Sequence, residues 1–154
     1  MEQTKDREFK ATIPLDTVMP NGRVYPKEGM RKAVDDYLEK HKGKAMLGEF
    51  NPDPDSERGP FMHYLHVSHQ ITKMEVKDSN LFCNVLLLDT PMGKMAKSML
   101  DESDLRFAPR MIGTVEPVLT EDGTQLLNED GIPVTEINIS DLISIDIVGF
   151  DGIR

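Results

Sequence analysis

The chain begins with an alternation of apolar and polar residues that is typical of a half-buried strand. From residue 8 to residue 15, every second side chain (Phe9, Ala11, Ile13 and Leu15) is apolar, and this period of two predicts a strand. Pro20-Asn21-Gly22 predicts a turn. Similar patterns predict further strands over residues 44–50, 65–71, 81–88, 107–119, 125–127, 134–139 and 142–148.

Two segments have the spacing of amphipathic helices. After Pro26, apolar side chains recur every three to four residues up to a stop near Gly43, and proline is favoured in a first helical turn. The second helix begins with Thr90 as its N-cap and Pro91 in its first turn. Its apolar stripe predicts a face packed in the core, formed by Met92, Met95, Ala96, Met99 and Leu100.

Two helices among six or more strands predict an α+β fold, with an antiparallel, β-barrel-like core and about two flanking helices. The region 51–60 contains three prolines and predicts a loop. No internal linker is evident in the 154 residues. We therefore expect residues 1–154 to form a single domain.

The composition argues against several classes of protein. The formal net charge is −9 and Lys and Arg do not cluster, which argues against direct binding to nucleic acid. No apolar run is long enough to cross a bilayer, and the N-terminus is too charged for a secretory peptide. Cys83 is alone, which excludes an internal disulfide and a multi-cysteine metal site, and we expect it to be buried. No cofactor is predicted.

Three histidines raise the question of a catalytic or metal site. His63 and His69 fall on the apolar side of a predicted strand, and His66 falls on the other side with Ser68. We expect the histidines on the apolar side to be packed core residues. A serine–histidine pair with Ser68, Ser98 or Ser103 stays open, because such a pair needs only spatial adjacency. No second ligand pair completes a zinc site, and the acids of the proline-rich loop (Asp53, Asp55, Glu57) do not match a calcium loop. No metal is predicted.

Five short segments, taken in order, resemble the prohead core protease family of large tailed bacteriophages. The resemblance covers roughly residues 9–149 and is carried by Asn21-Gly22-Arg23-Val24-Tyr25-Pro26, Leu47-Gly48-Glu49-Phe50-Asn51, Val67-Ser68-His69, Asp89-Thr90-Pro91-Met92-Gly93-Lys94 and Arg110-Met111-Ile112-Gly113-Thr114-Val115. The resemblance implies a herpesvirus-protease-like β-barrel and a serine protease of head maturation.

The same resemblance locates a catalytic centre whose reactive groups are missing. The family's base lies in a Gly-Glu-x-x-His-Pro element and its nucleophile in a Ser-Ser-Arg-Gly-x-Gly element. Here Pro52 stands in place of the histidine, and Ala108 and Pro109 stand in place of the serines, while Arg110 is retained. A serine hydrolase requires a hydroxyl activated by a base. We therefore expect a pseudoprotease that is not an enzyme.

This interpretation predicts a non-catalytic virion protein, made in the host cytoplasm and carried in the phage head. The expected role is capsid decoration (cement) or head core component, with the major capsid protein or other head proteins as partners and self-association possible. Phe61, Met62 and Tyr64 are the predicted partner-binding residues. Two alternatives remain: an active maturation protease with relocated catalytic residues, and a regulator of such a protease.

Overall fold

The computed structural model describes residues 7–19, 21–51, 62–99 and 105–149. Its secondary structure confirms the predicted α+β class, with two helices lying on a sheet that curls into a half-barrel. The strands are β1 (Glu8–Pro14), β2 (Arg23–Val24), β3 (Met46–Asn51), β4 (Val67–Lys77), β5 (Asn80–Leu87), β6 (Leu105–Pro117) and β7 (Thr135–Gly149). The helices are α1 (Lys27–Lys40) and α2 (Pro91–Met99).

The sheet is mixed rather than wholly antiparallel. Its strands run in the order β1-β5-β4-β3-β7-β2, and β6 pairs with the other side of β7. The pairs β3–β4, β4–β5, β1–β5 and β6–β7 are antiparallel, whereas β2 and β3 each pair parallel to β7 over two residues. The long strand β7 therefore connects the hairpin β6–β7 to the rest of the sheet.

Local signals explain both helices. Lys27, the first residue of α1, donates its backbone N–H to Asp16 Oδ1 at 2.9 Å, which satisfies one of the N–H groups left open at a helix start. The same helix buries Met30, Ala33 and Val34 against the sheet. At the start of α2, the Gly93 N–H donates to Thr90 Oγ1 at 2.9 Å, as the predicted N-cap requires.

Apolar side chains at alternate positions of the strands, together with one face of each helix, form the core. The main cluster joins α1 to residues of β1, β4, β5 and β7, and a smaller one joins α2 to Phe50, Leu87 and Ile147. Cys83 is buried as predicted. Met92 and Met99 pack against the smaller cluster, but Met95 is 47% exposed, so its prediction as core was wrong. A nine-residue helix at the edge of the molecule has room for only a narrow buried face.

Three strand predictions differ from the structure. Two strands were predicted over residues 134–139 and 142–148, but one continuous strand, β7, runs through both from Thr135. Residues 125–127 form no strand, and Gln125 and Leu127 make only isolated bridges. Leu65 was predicted to start a strand, but residues 64–66 form a 3-10 turn in which Leu65 is 89% exposed. Periodicity of two over so few residues does not distinguish a strand start from a turn. No helix in the described part of the chain is long and apolar enough to span a membrane.

Candidate active site

The two segments that the sequence analysis associates with a catalytic centre lie side by side in the fold. Glu49 is on β3 and Arg110 is on β6, separated by 61 positions in the chain. The Arg110 Nη2 group donates to Glu49 Oε2 at 2.9 Å, and both side chains are buried. The predicted meeting of these two segments is therefore present, although it is made by a carboxylate and a guanidinium.

Strand β7 adds two further polar side chains to this contact. Arg110 Nε lies 3.0 Å from Asp146 Oδ2 and donates to Ser144 Oγ at 3.1 Å. The Ser144 hydroxyl donates to Asp146 Oδ1 at 2.8 Å. The pair was not predicted from the sequence. Ser144 and Asp146 alternate with isoleucines in a predicted strand, and this pattern indicates two polar side chains on one side of it. We call Glu49, Arg110, Ser144 and Asp146 the polar cluster.

The polar cluster holds two carboxylates and one guanidinium away from water. Backbone donors add to its hydrogen bonding: the N–H of Glu49 donates to Asp146 Oδ1 at 3.0 Å, and the N–H of His63 donates to Glu49 Oε2 at 2.8 Å. Charged side chains are costly to bury unless they are paired and hydrogen-bonded. These contacts provide that pairing and join β3, β6 and β7 at one place.

A serine and a histidine lie within hydrogen-bonding distance directly beside the polar cluster. Ser68 Oγ is 2.7 Å from His69 Nδ1, and His69 Nε2 is 2.7 Å from the carbonyl oxygen of Ile145. Because a carbonyl can only accept, Nε2 carries the ring proton and Nδ1 accepts the proton of the Ser68 hydroxyl. The arrangement contains a hydroxyl, a base and a group that orients the base.

Burial sets the protonation state of the His69 ring. Neither Ser68 nor His69 has solvent-exposed surface. Desolvation lowers the pKa of His69, while the hydrogen bond to Ile145 and the charge of Asp146 act in the opposite direction. A lowered pKa keeps the imidazole neutral near pH 7, which is the form that can accept a proton.

Gly48 creates the space that the His69 ring occupies. A Cβ atom at position 48 would lie 2.1 Å from His69 Nε2 and 2.5 Å from the Ile145 carbonyl oxygen. The ring also contacts Phe107 edge-on, with centroids 6.0 Å apart. His69 is thus packed between the two motif segments, which confirms that it is a core histidine.

The other two histidines lie outside the core, although His63 was predicted to be packed in it. His63 precedes the 3-10 turn and His66 ends it, and both are exposed because β4 begins only at Val67. His66 Nδ1 is 4.0 Å from Glu49 Oε1, and its side chain is 53% exposed. The prediction that His63 and His69 share one strand face was therefore wrong. No group of three or more His, Cys, Asp or Glu suited to a metal ion occurs among residues 7–19, 21–51, 62–99 and 105–149.

The remaining predicted site residues have the following positions. Ala108 is half-buried and pairs with Asp146, and Pro109 is buried and pairs with Ile145. Ser98 is exposed and donates its hydroxyl to the Met95 carbonyl within α2, so it does not join a histidine. Outside the described residues lie Pro52, Asp53, Asp55, Glu57, Phe61 and Ser103.

The predicted partner-binding residues have different degrees of exposure. Met62 is half-buried, with its sulfur 3.9 Å from Arg110 Nη2, and Tyr64 is 77% exposed. Tyr64 and the adjacent Leu65 place two large apolar side chains in solvent. Protein surfaces use such side chains as contact anchors, and the assignment of a partner to them stays a prediction.

The comparisons with known proteins give the fold. No protein-family model matches the chain, and no curated protein matches it in sequence. Among solved structures, the chain is similar to the capsid assembly protease gp21 of bacteriophage T4, with a TM-score of 0.66 and 22% sequence identity. The match covers 93% of this chain and 82% of gp21. The chain therefore has the fold of a phage capsid assembly protease.

This similarity corrects the prediction that the chain is not an enzyme. The fold shared over nearly the whole chain is that of a protease, and the substitution of its catalytic residues was inferred only from two short sequence segments. One of those segments continues into Pro52, outside the described residues, and a serine–histidine pair lies beside both. The non-enzyme interpretation is therefore wrong.

Proposed function

We propose that this chain is a peptidase of phage head assembly in which Ser68 is the nucleophile and His69 the general base. The hydrogen bond of 2.7 Å between Ser68 Oγ and His69 Nδ1 carries the proposal. The fold of the T4 capsid assembly protease supports the class of function. The substrates are proteins of the assembling head.

The chemistry follows from the atoms that the pair contains. Ser68 Oγ attacks the peptide carbonyl, its proton passes to His69 Nδ1, and the proton then goes to the leaving amine as the C–N bond breaks. Water hydrolyses the resulting ester and regenerates the hydroxyl. Throughout, the Ile145 carbonyl accepts from Nε2 and keeps Nδ1 facing Ser68.

The buried state of the pair makes the proposed enzyme latent in this conformation. The turn between β5 and α2 packs on the backbone of Val67 and Ser68: Leu88 N–H donates to the Ser68 carbonyl at 2.9 Å, and Thr90 Oγ1 donates to the Val67 carbonyl at 2.7 Å. A substrate carbonyl reaches Ser68 only if this turn moves away. Opening of the start of α2 is therefore part of the proposal.

The direct test is cleavage of head proteins from the same phage, followed by intact mass. The wild-type chain is co-expressed with those proteins and compared with Ser68→Ala and Ser98→Ala, the second being an exposed hydroxyl bonded within α2. We expect cleavage by wild type and Ser98→Ala, and a loss of about a thousandfold or more in Ser68→Ala. Circular dichroism checks that each variant is folded.

A fluorophosphonate probe tests the nucleophile independently. The proposal expects the probe on Ser68 under conditions in which head proteins are cleaved, as determined by peptide mass mapping. Labelling of a different serine, cleavage that persists in Ser68→Ala, or recovery of the chain in purified particles with no cleavage of any head protein would each refute it. The last of these outcomes would instead support a structural role in the capsid.

The location and the contact residues are part of the same proposal. A head-assembly peptidase is expected within the phage head, in contact with the capsid shell protein. We expect Tyr64 and the predicted residues Phe61 and Met62 to contribute to this contact. Loss of association with the shell protein in a Phe61→Ala, Met62→Ala, Tyr64→Ala variant would support this assignment, and unchanged association would contradict it.

A further inference from the structure

The far end of the β6–β7 hairpin is an exposed and strongly acidic part of the molecule. We call residues 112–139 the acidic arm: it contains the end of β6, the beginning of β7 and the segment between them. The arm has no Lys, Arg or His. Its acidic residues, all of them exposed, are Glu116, Glu121, Asp122, Glu129, Asp130 and Glu136.

One face of the acidic arm is apolar. Val115 pairs with the core residue Ile137, so both point to the same side of the hairpin. Pro117 and Leu119 follow Val115 at intervals of two residues, which is the spacing of side chains on one side of a strand. Leu119 bridges Gln125, and Leu127, two positions after Gln125, bridges Pro133. We call five exposed apolar residues of the arm, namely Val115, Pro117, Leu119, Leu127 and Pro133, the apolar strip; Leu119 and Leu127 are 55% and 52% exposed.

The opposite face of the arm carries carboxylates that face each other. Glu116 lies directly across from Glu136 in the β6–β7 register. Like charges in directly opposed positions destabilise a sheet. Among the described residues, no ion pair joins either carboxylate to a basic side chain. A cation supplied from outside the chain would relieve this repulsion.

The edge of the arm is open to a further strand. Within the residues that the structure describes, β6 pairs with β7 alone, and every residue from 112 to 117 is exposed. Unpaired strand edges bind extended peptides through backbone hydrogen bonds, and alternate side chains of the peptide then lie on the two faces of the sheet.

We propose that the acidic arm binds an extended segment of a partner protein in which Lys or Arg alternates with apolar residues. The apolar side chains of such a segment extend the apolar strip, and its basic side chains meet Glu116 and Glu136 on the other face. Charge decides between this occupant and others, because a second copy of the chain or a nucleic acid would add negative charge to an arm that has no cation. The inference does not depend on the proposed peptidase activity.

The test is a titration of the ¹⁵N-labelled chain with a synthetic peptide that alternates Lys and Val, followed by NMR. We expect shifts confined to the arm and an affinity that falls with added salt. Two peptides serve as controls, one alternating Lys with Ser and one alternating Glu with Val. We expect the Lys–Ser peptide to bind about tenfold more weakly and the Glu–Val peptide not to bind.

Variants assign the binding to the two faces. Leu119→Ser with Leu127→Ser removes apolar contact, and Glu116→Gln with Glu136→Gln removes charge; each pair should weaken binding about tenfold. The salt dependence should decrease only in the second pair. Leu38→Ser, at an exposed apolar position of α1, is the matched control and should bind as wild type. Thermal unfolding checks that the variants are folded.

Four results would overturn the inference. They are the absence of shifts in the arm, equal binding of the Lys–Val and Lys–Ser peptides, undiminished binding by the Leu119→Ser, Leu127→Ser variant, and a dimer in sedimentation equilibrium that this variant abolishes. The last result would identify a second copy as the occupant.

Discussion

Replacing Arg110 with Ala is expected to destabilise the protein strongly, because the guanidinium is the shared partner of two buried carboxylates. The side chain is 5% exposed, and those of Glu49 and Asp146 are 1% and 0% exposed. Its Nη2 lies 2.9 Å from Glu49 and its Nε 3.0 Å from Asp146. The substitution leaves both carboxylates in place and removes the cation that pairs with them.

The expected loss follows from the number of charges left without their partner. Removing one partner of a buried ion pair costs about 3–5 kcal/mol. Because two carboxylates lose the same partner, we expect a loss toward the upper end of this range, about 4–5 kcal/mol.

Urea unfolding monitored by circular dichroism measures this loss. The matched control is Lys32→Ala, which breaks an exposed ion pair with the same N–O distance of 2.9 Å and should have little measurable effect. A variant that combines Arg110→Met, Glu49→Gln and Asp146→Asn should recover much of the loss, since it leaves no unpaired charge. A decrease of less than about 1 kcal/mol in Arg110→Ala would refute the argument.

Three further predictions concern the neighbourhood of His69 and the core. Gly48→Ala should lower the free energy of unfolding by about 1–3 kcal/mol, because its Cβ would lie 2.1 Å from His69 Nε2; an unchanged melting temperature would contradict this. Burial lowers the pKa of His69, so its imidazole binds a proton more readily in the unfolded chain than in the folded one. The free energy of unfolding should therefore be highest above a pH of about 6.5 and decrease as the pH falls below that value. His69→Gln should reduce this dependence of the free energy of unfolding on pH, as measured by urea unfolding. The same pH dependence in both proteins would contradict its assignment to His69. Burial raises the pKa of the Cys83 thiol to about 12, so a thiol reagent at a pH of about 8 should react only after unfolding; rapid reaction of the folded protein would contradict its burial.

The sequence predicts the local elements well because their signals are local. Proline at the N-cap of α1 and at the first residue of α2, together with the spacing of apolar residues, defines the helices, and the alternation over residues 8–15 defines β1. The β4–β5 turn at residues 78–79 is similarly local, and there Asp78 adopts a positive φ. Each of these features depends on side chains within a few positions of one another.

The site was harder to predict because it depends on register between distant strands. Glu49 and Arg110 could be associated through the family resemblance, whereas Ser144 and Asp146 join them only through the pairing of β6 with β7. The hydrogen bond between Ser68 and His69 was considered among several serine–histidine combinations and could not be selected. On a regular strand, neighbouring side chains point to opposite faces, so sequence alone gave no reason to prefer this pair.

The polar cluster lies at two irregularities of the backbone pairing, and its contacts help to hold the strands together there. The register shifts between Gly48 and Glu49 on β3, and again between Arg110 and Met111 on β6. Such irregularities remove ladder hydrogen bonds and re-aim side chains. The contacts from Arg110 to Glu49, Ser144 and Asp146 connect the same three strands at this place, and the backbone N–H of Glu49 also donates to Asp146. These side-chain contacts therefore add to the two-residue backbone pairing of β3 with β7, and β7 in turn supplies the Ile145 carbonyl that orients the His69 ring.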